Sequence, residues 1–174
     1  MRKAACLALG LGAAHMAGAA AAPSPVAALA GQYSDRFQNA LVSGETYFSD
    51  DIVEIVPVDS RHAYVDFDLN FYNGHTCGLT GIAAAQDGAL VYREPADKAL
   101  SGHDRCVLTI RRKRGRLIWD DGGTCQAYCG ERGTFSGGYM LWSSKMPVPD
   151  LARLRRSAEY RRALAEWRTG HAQP

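Results

Sequence analysis

Between Ala63 and Tyr72 apolar and polar side chains alternate without a break: Val65, Phe67, Leu69 and Phe71 point one way, Tyr64, Asp66, Asp68, Asn70 and Tyr72 the other. A period of two puts one face on a core and the other in water, which suits an antiparallel strand and not a helix. Asn73-Gly74 follows at once, the dipeptide that supplies positive φ to a two-residue hairpin turn. The same signals repeat downstream. A strand through Cys77, Leu79 and Ile82 leads to Asp87-Gly88 and a short strand from Ala89 to Arg93, and Arg114-Gly115 joins Cys106 to Lys113 with Arg116 to Asp120. Ile52 to Val58 and Gly133 to Trp142 add strands on either side. The series predicts a mainly β fold, a small antiparallel β-barrel of about seven or eight strands, with Trp119, Tyr139 and Trp142 in its wall or core.

Both ends of the chain depart from this pattern. Arg2 and Lys3 precede an Ala-, Leu- and Gly-rich run from Ala4 to Ala22, and no acidic residue occurs before Asp35. A basic segment followed by an apolar one is the form of a cleaved signal peptide, here residues 1–30, and it predicts a periplasmic or secreted protein. Two small-residue cleavage sites compete, Ala19-Ala20-Ala21 and Ala28-Leu29-Ala30. Residues 31–146 then form the barrel domain. After Pro147 and Pro149, Asp150 is a good N-cap, and Leu151, Leu154, Ala158, Leu164 and Trp167 recur at helical spacing. This predicts one amphipathic helix within residues 147–174, packed across a barrel end with an arginine-rich face in solvent.

The 174 residues are 47% hydrophobic and 22% charged, the balance of one globular domain. Without Arg2 and Lys3 the chain carries 18 basic and 18 acidic residues, so net charge gives no reason to expect nucleic acid or membrane as a partner. The distribution is uneven, however. Asp35 to Arg105 holds 12 acidic and 5 basic residues, and Cys106 onward 6 and 13. If the fold keeps these halves as separate poles, they would steer a charged partner.

Loss of Cys6 with the leader leaves Cys77, Cys106, Cys125 and Cys129, an even number in an oxidising compartment, where thiols persist as bridges. Cys77 and Cys106 each begin a strand, and the short strand between them leaves a gap that a bridge would cap. The expected pairs are therefore Cys77 with Cys106 and Cys125 with Cys129. The competing use of these cysteines is a metal site with His75 and His103, but a three-residue spacing is atypical of zinc pairs.

No local signature joins a nucleophile, a base and an oxyanion donor, so neither catalysis nor a cofactor is expected. Binding is the remaining class. Ser136-Gly137-Gly138-Tyr139 leads through Leu141-Trp142 to Lys145, and Ser43-Gly44-Glu45-Thr46-Tyr47 opens the β region. Each stretch combines a hydroxyl, a flexible Gly and an aromatic, suited to insertion into a partner's cleft. A disulfide-bonded exported barrel with a Ser-Gly element before a Tyr and a later Trp-x-x-Lys resembles the periplasmic inhibitors of C-type lysozyme. The resemblance implies Ser136 and Lys145, with Ser43 as the alternative serine, as residues that enter the lysozyme cleft and meet its catalytic carboxylates. Tyr139 stands one residue nearer Ser136-Gly137 than in that family, and Met146 stands where a Gly follows the Lys. The rest of the chain, including Asp51 to Val58 and Cys125 to Gly133, is similar to exported proteobacterial proteins with no assigned role. The expected function is non-catalytic binding of a protein, by loop insertion into a cell-wall hydrolase or as an envelope interaction module, with metal binding as a third class.

Overall fold

The computed structural model describes residues 23–98 and 104–171. The segment read as a leader up to Ala22, with Cys6 and the earlier cleavage site, lies outside them, as does His103. Eight antiparallel strands run in chain order, each bonded to the next: β1 Gly31–Ala40, β2 Thr46–Pro57, β3 His62–Asn70, β4 Thr76–Gln86, β5 Ala89–Arg93, β6 Val107–Lys113, β7 Arg116–Asp120 and β8 Gly138–Leu141. The sheet curls into a nearly closed barrel. Its seam is fastened by Gln32 and Met146, whose backbones exchange two hydrogen bonds of 2.8 Å.

The alternation in β3 sets its inner face as read: Val65, Phe67 and Leu69 are buried in the barrel interior with Tyr33, Ile55, Leu79, Leu90, Leu108, Ile110 and Leu117. The other face is not wholly in water as expected, because Tyr64 is fully buried there beneath the C-terminal segment. Asp87-Gly88 and Arg114-Gly115 have positive φ at both positions, and Gln86 with Ala89 and Lys113 with Arg116 close two-residue hairpins. Asn73 and Gly74 also have positive φ, but Phe71 N donates to His75 O, which gives that turn a third residue, Tyr72.

Several expectations change. Strand β1 carries no alternation strong enough to announce itself; its full register with β2, from Gly31 opposite Ile55 to Ala40 opposite Thr46, defines it. The disulfides join Cys77 to Cys129 and Cys106 to Cys125, not Cys77 to Cys106 and Cys125 to Cys129. The gap past the end of β5 is real, but the β7–β8 connection enters it. Its short 3₁₀ turn Gln126–Tyr128 presents Cys125 to the start of β6 and Cys129 to the start of β4. All four cysteines among the described residues are therefore in disulfides, and none of them is a thiolate that could ligate a metal. Trp119 is core, whereas Tyr139 is exposed and Trp142 is half-buried against the core.

The C-terminal segment is two helices, α2 Leu151–Arg156 and α3 Ala158–His171, rather than one. Asp150 caps α2 by accepting from Arg153 N. Ser157 is extended (φ −62°, ψ 157°), and its Oγ accepts from Tyr160 N, so a second N-cap breaks the helix where the apolar spacing runs on unbroken. Helix α3 lies on the outer wall of the barrel rather than across an end: Tyr160 and Ala163 pack on Val56, Tyr64 and Ile82, with the Tyr64 and Tyr160 rings 4.9 Å apart. Burial of each large apolar side chain here is worth about 1.5–3 kcal/mol.

One barrel end is covered by a short helix, α1 Pro25–Leu29, whose Val26 and Leu29 are buried among core side chains. Among the described residues no helix is long and apolar enough to cross a membrane. The two disulfides suit an oxidising compartment.

Candidate functional site

The residues that sequence reading grouped into one inserting loop are spread along the barrel. Strand β8 runs from the end opposite α1 toward the α1 end, so Ser136, before it, and Lys145, after it, lie at different ends. Both side chains are engaged internally. Ser136 Oγ donates to Asp121 Oδ1 at 2.6 Å, and the same carboxylate accepts from the backbone N–H of Cys125 (2.8 Å) and Gly123 (3.2 Å). Burial alone would raise the Asp121 pKa, but these donors outweigh it and hold the carboxyl below its ordinary range. Ser136 thus braces the loop that carries Cys125.

At the other end Lys145 Nζ donates to Ala28 O at 2.7 Å, and Tyr33 Oη donates to Leu29 O at 2.9 Å. These carbonyls belong to the last turn of α1, where helical acceptors lack intrahelical partners. The ammonium lies 4.7 Å from the Trp142 ring centroid, and burial, with Arg112 nearby, lowers its pKa. Gly31 makes this approach possible. At its φ of 144° a side chain is strained, and a Cβ there would stand 2.9 Å from Met146 O. Lys145 and Tyr33 therefore hold α1 on the barrel. Ser43 sits on the exposed β1–β2 turn at the opposite end, beside Val42, whose N–H donates to Asn73 Oδ1.

Tyr139 and its neighbours on the last three strands stand elsewhere. Register aligns Arg111, Ile118 and Tyr139 across β6, β7 and β8, with Lys113, Arg116 and Leu141 in the adjacent outward-facing row. Tyr139 and Leu141 are 51% and 55% exposed. The Arg116 guanidinium lies 4.0 Å from the Tyr139 ring centroid, and Arg112 lies 4.2 Å from that of Trp142. None of the three ion pairs among the described residues involves a cation of this face. The sequence shows the basic run 111–116 and the aromatic stretch 139–142 separately, and only strand pairing makes them one surface. A face of cations alternating with an aromatic and aliphatic side chains can dock an acidic protein surface.

Comparison with known proteins gives no match: no family model, no curated protein and no solved structure.

Proposed function

We propose that this chain is an exported, non-catalytic binding protein that docks a protein partner through the outer face of β6, β7 and β8. The observation that carries this reading is the exposed Arg116–Tyr139 pair, set between Arg111, Lys113 and Leu141 with no acidic partner in an ion pair. Aromatic and Arg side chains are the commonest energetic anchors of protein interfaces. The fitting partner bears carboxylates on or within an apolar surface. The cleft of a lysozyme is of that kind, and the likeness to lysozyme inhibitors makes it the first to try. Because Ser136 and Lys145 already donate to Asp121 and Ala28, the cations offered to such a cleft are those of the strand face.

The paired cysteines and the basic-then-apolar N-terminal segment support export, and on this reading the protein works in the periplasm or outside the cell. Of the two cleavage sites, the one at Ala19-Ala20-Ala21 is compatible with the fold, because cleavage after Ala30 removes Val26 and Leu29 from the core.

The test immobilises the processed protein and passes over it a panel of lysozymes and an envelope extract at low and physiological salt. A retained partner is expected, with retention falling as salt rises and reduced about tenfold or more by Tyr139→Ala or Arg116→Ala. If the retained partner is an envelope protein while every lysozyme passes through, the lysozyme assignment fails and the docking face stands. Undiminished retention by both variants overturns the face itself.

A further inference from the structure

On a different part of the wall, β4 and β5 and the second half of α3 enclose a cleft of about 480 Å³, within the ~300–1,000 Å³ typical of small-molecule sites. Ile82, Val91, Tyr92, Ala163 and Trp167 supply its apolar surface. Its acids are already engaged or peripheral. Glu94, 5% exposed, accepts from Tyr128 Oη at 2.6 Å and from Cys106 N at 3.0 Å, so each carboxylate oxygen has a donor. Glu166 is paired with Lys98 at 2.5 Å, and Asp97 is exposed at the rim. Within α3 the carbonyls of Ala165 and Glu166 accept from Thr169 Oγ1.

The two guanidiniums that line the cleft keep donors in reserve. Arg93 Nη2 donates to Gln86 Oε1 at 3.0 Å, and Arg105 donates through Nε and Nη2 to the carbonyl of Glu94. Each guanidinium has five N–H groups, so most remain available. They are neighbours across the β5–β6 connection: Arg93 ends β5 and pairs with Val107, the first residue of β6, two residues after Arg105. We infer that the cleft binds a small carboxylate with an apolar or aromatic body, the carboxylate at Arg93 and Arg105 and the body against Ile82, Val91 and Trp167. This site is independent of the docking face, and either can fail without the other.

The probes are naphthylacetate, naphthylethanol and naphthylmethylamine, which share a ring and differ in charge, titrated calorimetrically into the processed protein. Naphthylacetate is expected to bind about tenfold or more tightly than the alcohol or the amine, and Arg93→Ala to remove most of that preference. A Cβ at Gly170 meets no atom within 4 Å, so Gly170→Trp adds a ring at the mouth without forcing the fold. It is expected to abolish binding while the unfolding midpoint stays at the parent's value. Equal affinity for the three probes, no heat from any of them, or unchanged binding by Arg93→Ala and Gly170→Trp overturns the assignment.

Discussion

A chain that begins after Ala30 unfolds far below one that begins at Ala22. Val26 and Leu29 are each 2% exposed, and losing two such side chains removes about 1.5–3 kcal/mol apiece. The loss extends to the groups that hold α1. Tyr33 is fully buried, its hydroxyl donates to Leu29 O, and an unpaired buried hydroxyl costs about 1–3 kcal/mol. Lys145 likewise loses its acceptor at Ala28. The losses sum to about 4–9 kcal/mol, a large part of the ~5–15 kcal/mol that holds a domain folded, and they lower the melting temperature by about 10–30 °C. Thermal unfolding of the two chains, monitored by circular dichroism, measures it. Leu29→Ala in the longer chain reads the same contact on a milder scale, at about 2–5 kcal/mol. Coincident melting of the two chains, with a neutral Leu29→Ala, would show that α1 is not part of the core.

Breaking the Cys77–Cys129 bridge destabilises the protein more than breaking Cys106–Cys125. The bonded cysteines are 52 and 19 residues apart, and loop-closure entropy puts the losses at about 4 and about 3 kcal/mol. Chemical denaturation of Cys77→Ala/Cys129→Ala and Cys106→Ala/Cys125→Ala, each in the chain that begins at Ala22 and so lacks Cys6, gives both figures with no free thiol in either variant. Peptide mapping without reduction gives the connectivity directly, provided the chain is cut after Tyr128 so that Cys125 and Cys129 fall on different fragments. Cys129 is expected on the fragment joined to Cys77. A bond between Cys125 and Cys129 would refute the way the β7–β8 connection fills the gap.

These contrasts mark where the sequence was legible. Alternation and turn chemistry are local, so β3 and the hairpins at Asp87-Gly88 and Arg114-Gly115 follow from residues adjacent in the chain. Strand β1 is not local in this sense. Its Gln, Ser, Asp, Arg and Asn residues give no apolar period, and ten backbone pairings to β2 hold it. The helix break escapes for the opposite reason, because Leu151, Leu154 and Leu164 keep helical spacing through Ser157 while a side-chain oxygen caps a new start. The cysteine pairing depends on a loop entering between strands. At the candidate site the residue types Ser, Tyr, Trp and Lys were visible, but their roles rest on distant partners. Ser136 meets Asp121, and Lys145 meets Ala28, 117 positions away. The cations that flank Tyr139 come from β6 and β7, and strand register alone places them there.

The division between structural and docking residues is tested most directly by one binding titration of a retained partner against four variants, each with its unfolding midpoint. Arg116→Ala and Tyr139→Ala are expected to melt like the parent and bind about tenfold or more weakly. Ser136→Ala and Lys145→Ala are expected to melt lower and, while folded, to bind as the parent does. Weak binding by folded Ser136→Ala and Lys145→Ala, with parental binding by the other two, would contradict the assignment and return the site to the loops.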